Sequence, residues 1–351
     1  MKKRTVLIPL LIVLFIVGFL LMTSEREVEK EEPVKEETIQ IGMSFESFVV
    51  ERWLRDRDVF VSAARELGAE VNVQNANGDI EAQKQHIDYF IEKGMDAIVI
   101  IGVDSYGLRD YVQKASDAGI KVIAYDRLLT NADVDLYISF DNAMVGTMMA
   151  EALVRNGVRG GNVLMLGGSS TDSNVPMVEN AFREEMRNNN ITILDSMHAE
   201  GWEGEMAGLY IYDHMDMVDQ ADAIMCGNDN IATFVMQALA TKRLAGDILV
   251  VGQDADLEAC QRIVEGTQLM TVYKPIEKLA TRAAECVVEL VREGEVTGDD
   301  VTTFNDGSYI VPYIGISPIS VTEENIDEVI IDSGFHLKED VYLNVPGKMP
   351  E

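Results

Sequence analysis

Short apolar runs alternate with amphipathic stretches of helical length along most of the chain, starting at Ile39. Strands that alternate with helices in this way predict parallel sheets that are covered by helices on both faces. Such a sheet binds its ligands in the crevice beyond the carboxyl ends of its strands. Strands are predicted at 39–43, 71–74, 97–101, 121–125, 162–166, 192–197, 223–226 and 248–251, and helices near 51–67, 79–93, 175–189, 203–217, 229–243 and 276–292.

The composition limits the kinds of ligand that the chain can bind. The 351 residues suffice for about two domains, and 47% of them are apolar, which is ordinary for a packed core. The formal net charge of −31 would repel a nucleic-acid backbone, but it does not penalise a neutral ligand such as a sugar. The three cysteines, Cys226, Cys260 and Cys286, match no zinc-binding pattern. We therefore expect buried free thiols, no metal site and no cofactor.

The N-terminal residues predict a membrane-targeting segment. Three basic residues at positions 2–4 precede an uncharged apolar run at 5–23, and an acidic linker follows at 24–38. The run does not end in the small residues of a usual cleavage site, and no cysteine lies near it for lipid attachment. We expect residues 1–4 in the cytoplasm, an uncleaved signal anchor, and the rest of the chain outside the cytoplasmic membrane. An atypical cleaved signal is the alternative.

Polar or charged side chains follow nearly every predicted strand. Asp, Asn, Arg and Lys form strong, charge-assisted hydrogen bonds, which suit vicinal hydroxyl groups that both donate and accept. Taken singly, each Asp or Asn could be a helix N-cap, and each Arg could be a solvated surface group. Taken together, they predict one ligand site at the carboxyl ends of the strands. Its expected members are Arg52, Trp53, Asp126, Arg127, Asp172, Asn174, Trp202, Asn228, Asp254 and Lys274.

The two tryptophans of the chain favour a sugar as the ligand. Trp53 and Trp202 fall in predicted ligand-facing loops, one in each half of the chain. A pyranose has apolar C–H faces and a polar rim, so two indoles can cover its faces while polar groups bind the rim. The alternative is that both indoles only pack in the core or at its rim.

Seven short motifs, in the order in which they occur here, resemble those of the D-xylose-binding proteins, in the pentose and hexose branch of the periplasmic sugar-binding superfamily. The resemblance covers the chain from about Ile39 to Ile319. One departure is Ser173, where the family often has an Asn. The motifs are Glu51-Arg52-Trp53, Gln74-Asn75-Ala76-Asn77-Gly78, Ala124-Tyr125-Asp126-Arg127, Tyr137-Ile138-Ser139-Phe140-Asp141-Asn142, Gly167-Gly168-Ser169, Gly252-Gln253-Asp254-Ala255-Asp256 and Thr271-Val272-Tyr273-Lys274-Pro275.

The resemblance implies a type I periplasmic binding protein fold, preceded here by the apolar N-terminal helix. In this fold two doubly wound α/β lobes with parallel sheets are joined by three crossings of the chain. The first lobe would contain 39–140 plus 275–304, and the second 141–274 plus 305–345. The resemblance assigns stacking to Trp53 and Trp202. It assigns hydrogen bonds to the sugar to Arg52, Asp126, Arg127, Asp172, Asn174, Asn228, Asp254 and Lys274.

The expected function is therefore non-catalytic binding of a monosaccharide, with D-xylose as the first candidate. The two lobes would close around the sugar by a hinge motion. Burial of the charged groups requires pairing, and Asp126 with Arg127 is one expected pair. Asp254 with Lys274 is the other. The partner would be the permease of an ABC transporter or, alternatively, a sensor histidine kinase that reads the sugar state of an anchored protein. No catalytic motif appears, and an apolar span occupies the place where a sugar-responsive repressor has its DNA-binding helices.

Overall fold

The computed structural model describes residues 38–50 and 52–350. The predicted anchor at 5–23 and nearly all of the acidic linker lie outside these residues. Within the described part of the chain, no helix combines the length and the apolar character that a membrane crossing needs.

Thirteen strands and eleven α-helices alternate along the described chain. The strands are β1 Ile39–Phe45, β2 Ala69–Asn75, β3 Ala97–Ile100, β4 Lys121–Tyr125, β5 Leu136–Phe140, β6 Asn162–Gly167, β7 Thr192–His198, β8 Ala223–Cys226, β9 Leu249–Gln253, β10 Met270–Tyr273, β11 Thr302–Asn305, β12 Ile310–Ile316 and β13 Ile319–Val321. The helices are α1 Arg52–Glu66, α2 Ile80–Lys93, α3 Arg109–Asp117, α4 Asn142–Arg155, α5 Asn174–Asn188, α6 Gly204–Asp213, α7 Met215–Val218, α8 Asp229–Thr241, α9 Leu257–Glu265, α10 Ile276–Glu293 and α11 Lys338–Val341.

Two separate sheets form the centres of two lobes. The first sheet has seven strands in the order β11-β12-β5-β4-β3-β1-β2, and the second has six in the order β13-β10-β9-β8-β6-β7. Most neighbouring strands are parallel, but β11 pairs antiparallel with β12 and β13 pairs antiparallel with β10. The predicted parallel sheets are therefore mixed, with one antiparallel strand at an edge of each.

Local signals in the sequence place the helix ends. The side chain of Asp79 accepts hydrogen bonds from the backbone N–H groups of Glu81 and Ala82 at the start of α2. Gly94 ends the same helix with φ 64°, a left-handed conformation that glycine adopts without steric cost. Both of these ends are as predicted. The four residues of β3 are all buried, as expected for a continuous apolar run in the middle of a covered sheet.

The chain passes three times between the two sheets. The first two crossings join β5 to α4 and β10 to α10. The third joins β12 to β13 at residues 317–318. The boundary between the lobes in this part of the chain therefore lies at 317–318, and the expected boundary between 304 and 305 needs correction. The reason is that β12 extends the first sheet by pairing in parallel with β5, with Tyr313 opposite Tyr137. The hairpin of β11 and β12 thus belongs to the first lobe.

The C-terminal segment packs on the second lobe. Ile326, Ile330 and Val341 form an apolar cluster with Ile263 of α9 and Tyr273 of β10. This cluster anchors the segment beside the crossing from β10 to α10. The segment also reaches the first lobe, because the Phe335 carbonyl accepts a hydrogen bond of 2.8 Å from Arg55.

The three cysteines are free and buried, as predicted. Burial raises the pKa of Cys286 to about 12, and it also raises the pKa values of Cys226 and Cys260. All three thiols are therefore protonated and unreactive near neutral pH.

Candidate functional site

The carboxyl ends of strands from both sheets face one cavity between the lobes. The space between the atoms there, part of which is open to solvent, measures about 320 Å³. Val50 and Gln253 contribute to its wall. All ten predicted residues contribute as well: Arg52, Trp53, Asp126, Arg127, Asp172, Asn174, Trp202, Asn228, Asp254 and Lys274.

Arg52 is held rigidly at the start of α1. Its Nε and Nη2 atoms donate to the carboxylate of Asp56, one helical turn later, at 3.0 and 3.1 Å. Its Nη2 atom also lies 2.9 Å from Oδ2 of Asp126. The guanidinium lies over the indole of Trp53, with Cζ 4.5 Å from the ring centroid. Arg52 is thus a buried group with fixed geometry, and the alternative of a solvated surface arginine is wrong.

Arg127 joins the two lobes. Its Nη1 atom donates to the Gly102 carbonyl at 3.0 Å and its Nη2 atom to Oε1 of Glu46 at 3.2 Å, both within the first lobe. Its Nε atom lies 2.6 Å from Oδ2 of Asp172, which belongs to the second lobe. The direct ion-pair partner of Asp126 is Arg52, so the expected pairing of Asp126 with its neighbour Arg127 needs correction.

Amide side chains form a second bridge between the lobes. Nδ2 of Asn174 donates to Oδ1 of Asp126 at 3.0 Å, and Oδ1 of Asn174 accepts from Nδ2 of Asn142 at 3.0 Å. The helix-cap alternative holds for Asn228, which accepts from the backbone N–H of Ile231 at 2.9 Å at the start of α8 and also lines the cavity. Asp172 accepts from the backbone N–H of Asn174 at 2.8 Å, but the N-cap position of α5 is Ser173.

Lys274 and Asp254 form the ion pair that the sequence predicted. Nζ of Lys274 lies 3.2 Å from Oδ1 of Asp254, and both side chains are buried. Lys274 comes directly after β10, at the second crossing between the lobes. It therefore lines the cavity at one of the three crossings between the lobes.

The charges of the site stabilise one another. Burial alone would raise the pKa of Asp126, yet the cations Arg52 and Lys274 outweigh burial and hold that pKa below its ordinary value. Burial lowers the pKa of Arg52, but the carboxylates of Asp126 and Asp56 raise it well above its ordinary value. Burial raises the pKa of Asp172 although Arg127 opposes the shift.

Trp53 and Trp202 line the cavity from opposite lobes. Nε1 of Trp53 donates to Oε1 of Glu46 at 3.3 Å. The ring of Trp202 lies against the backbone of Gly168, where a Cβ atom would stand 2.2 Å from the indole. Nε1 of Trp202 is buried and has no hydrogen-bond partner among the described residues. The N–H group of Trp53 is therefore already bonded to the protein, whereas that of Trp202 can donate to a ligand.

Comparison with known proteins assigns the chain to a family. Residues 41–295 match the model of the periplasmic binding protein domain. The chain belongs to the periplasmic binding protein family. It is 39% identical to the D-xylose-binding periplasmic protein of Haemophilus influenzae, over 87% of this chain and 92% of the relative. It is 40% identical to the protein of that name from Escherichia coli, over 86% of this chain and 92% of the relative. The resemblance indicated by the seven motifs is thus confirmed.

Solved structures agree with the fold of this periplasmic binding protein. An ABC transporter solute-binding protein from Clostridium phytofermentans, with bound β-D-glucose, superposes with a TM-score of 0.77 at 25% identity. The superposition covers 86% of this chain and 99% of that structure. Two α/β lobes with mixed parallel sheets are therefore the architecture of the family and of this member.

Three residues of the cavity wall have left-handed backbone conformations. Asp126, Trp202 and Asp254 have φ values of 64°, 62° and 98°. Such conformations cost non-glycine residues about 1–3 kcal/mol each, and they persist where the surrounding structure holds them. In this periplasmic binding protein they turn three side chains into the space between the lobes.

Reasoning from sequence missed several residues around the cavity. Gln253 lines it, and its buried Oε1 has no hydrogen-bond partner within the described chain. Glu46 accepts from both Arg127 and Trp53. Glu46 comes directly after β1, and Gln253 is the last residue of β9. The rule that selected the other residues, a polar group at a strand end, would have found both.

Proposed function

We propose that this periplasmic binding protein binds one molecule of D-xylose between its lobes, without catalysis, and delivers it to the permease of an ABC transporter. The observation that carries the proposal is that one cavity gathers all ten predicted site residues from both lobes. The relatives at 39% and 40% identity are both D-xylose-binding periplasmic proteins. The structural neighbour from Clostridium phytofermentans is an ABC transporter solute-binding protein.

The wall of the cavity fits a neutral polyhydroxylated ring. Carboxylates of Asp126 and Asp254 accept hydrogen bonds from sugar hydroxyls, and Lys274 donates to them. The unpartnered Nε1 of Trp202 and Oε1 of Gln253 add one donor and one acceptor. Indole faces cover the C–H faces of the ring. A neutral sugar satisfies these groups without adding charge to a wall whose carboxylates are already paired with Arg52, Arg127 and Lys274.

Closure of the lobes around the sugar follows from the contacts between them. Arg127 binds Asp172, and Asn174 binds Asp126, each across the gap between the lobes. At the edge of the cleft, the hydroxyl of Ser105 donates to the Thr171 carbonyl at 2.9 Å. The ligand favours this closed arrangement only through the extra contacts that it makes there. The cavity is lined by buried residues of both lobes, so a sugar bound there would contact both lobes.

As a periplasmic binding protein, the chain acts outside the cytoplasm. The finer placement that we propose is tethering to the cytoplasmic membrane through residues 5–23. Its support is the uncharged apolar run behind basic residues, with neither a usual cleavage site nor a lipid-accepting cysteine. A tether of this kind would keep the binding lobes near the permease.

Titration calorimetry on the purified chain tests the ligand. We expect one-to-one binding of D-xylose, tighter than that of ribose, arabinose, glucose or galactose. Replacing Lys274 by Met leaves Asp254 buried without its counter-charge and removes a donor to the sugar, so xylose affinity should fall about 10- to 100-fold. Lys278→Met is the matched control, because Lys278 is exposed on α10. Absence of xylose binding, or equal affinities of the two variants, would contradict the proposal.

A further inference from the structure

A layer of buried polar groups lies behind Asp254, outside the wall of the cavity. Its centre is Asp229, the first residue of α8, whose side chain is completely buried. Oδ2 of Asp229 accepts from Oγ1 of Thr271 at 2.6 Å and from the backbone N–H of Asp256 at 3.2 Å. Oδ1 accepts from Nε2 of Gln268 at 2.9 Å. The carboxylate thus collects donors from two segments of the second lobe, the loop after β9 and residues 268–271, which lead into β10.

Two of these donors fix the loop that carries Asp254. Oγ1 of Thr271 accepts from the backbone N–H of Ala255 at 3.2 Å while it donates to Asp229. The next N–H along, that of Asp256, donates to Asp229 itself. Asp254 and Ala255 have φ values of 98° and 56°, so two consecutive residues are held in the left-handed region. A loop in that conformation needs support from outside itself, and these bonds supply it.

The carboxylate does not act as a helix cap. Asn228 already caps α8 through its side chain, and Asp229 points into the lobe instead. Gly252 leaves room for the Asp229 carboxylate, since a Cβ atom at position 252 would lie 2.3 Å from Oδ1 of Asp229. Burial raises the pKa of Asp229 to about 7, so an ionised carboxylate here is costly. An apolar residue would serve packing alone at a lower cost.

We propose that Asp229 and Thr271 are positioning residues of the sugar site, which hold the loop 254–256 so that the carboxylate of Asp254 faces the ligand. The proposal rests on the proposed function, because it treats Asp254 as a sugar-binding group. It adds a layer of residues that determines affinity without touching the sugar. The hydroxyl of Thr271 is its central link, since it joins Asp229 to the Ala255 N–H.

The test compares two substitutions of Thr271 in the full chain. Thr271→Val keeps the shape of the side chain and loses the hydroxyl, so D-xylose affinity should fall about tenfold. Thr271→Ser keeps the hydroxyl and loses a methyl group, and its affinity should remain within about twofold of wild type. Melting temperatures measured without sugar show whether each variant is folded. If Thr271→Val does not fold, Asp229→Asn takes its place in every comparison.

A double-mutant cycle separates positioning from a general structural effect. If Thr271 acts through Asp254, Thr271→Val should weaken xylose binding by much less in an Asp254→Asn background than in wild type. Its effect should be fully additive with Trp53→Phe in the other lobe. Wild-type affinity of Thr271→Val, equal losses in the Ser and Val variants, or additivity with Asp254→Asn would overturn the positioning role. Failure of the wild-type chain to bind xylose would instead overturn the proposed function.

Discussion

Replacing Asp126 by Ala is expected to weaken both folding and sugar binding. The carboxylate of Asp126 forms an ion pair with Arg52 at 2.9 Å and accepts a hydrogen bond from Asn174 at 3.0 Å, in a buried setting. Removing one partner of a buried ion pair costs about 3–5 kcal/mol. Because Arg52 keeps Asp56, we expect a loss near 3 kcal/mol in the free energy of unfolding. Xylose affinity should fall at least about 100-fold. Urea denaturation and calorimetry measure the two effects.

The pH dependence of this variant gives an independent check. The pKa of Asp126 is lowered in the folded protein, so its contribution is fully present above the unfolded value of about 3.9. That contribution is lost as the pH falls through the folded pKa. The difference in unfolding free energy between wild type and Asp126→Ala should therefore shrink in acid. Asp110→Ala is the control, since Asp110 is exposed on α3. Equal stability of wild type and Asp126→Ala at pH 7 would contradict this role.

Replacing Trp202 by Ala should lower xylose affinity by about 100-fold or more, equivalent to at least about 2.7 kcal/mol. The indole lies against Gly168 and is 8% exposed, so its loss removes a rigid apolar face from the cavity. Nothing else in the described wall of the second lobe offers an aromatic ring. Calorimetry measures the affinity, and thermal unfolding confirms that the variant is folded.

Trp202→Phe separates the ring of this residue from its N–H group. A phenyl ring keeps an apolar face, while the unpartnered Nε1 donor is lost. We expect a loss of about tenfold or less, in keeping with a single hydrogen bond. An Ala variant that binds xylose as tightly as wild type would show that the indole only packs against the lobe.

The candidate site was predictable because its residues obey a local rule. Polar residues at the carboxyl ends of parallel strands converge in any sheet of this kind. Arg127 and Asp254 follow strands that lie in different sheets, and they still face the same gap. The rule says nothing about which partner each charge takes. Arg52, and not the neighbouring Arg127, pairs with Asp126, since the orientation of α1 decides the contact.

Features that depend on distant parts of the chain could not be predicted in this way. The strand β12 joins the first sheet because it pairs with β5, which is far away in sequence. The layer behind Asp254 brings Asp229 and Thr271 together across 42 positions. No local periodicity encodes either contact. Sequence patterns identify strands and their ends, whereas pairing and side-chain partners depend on the packing of the whole lobe.

A crystal structure of the chain grown with D-xylose tests the central claim most directly. It should show one pyranose in the cavity between the lobes, with its C–H faces against Trp53 and Trp202. Its hydroxyls should bond to Asp126, Asp254 and Lys274. Xylose bound elsewhere on the protein, or lying in the cavity without contact to residues of both lobes, would contradict the site and the closure mechanism together.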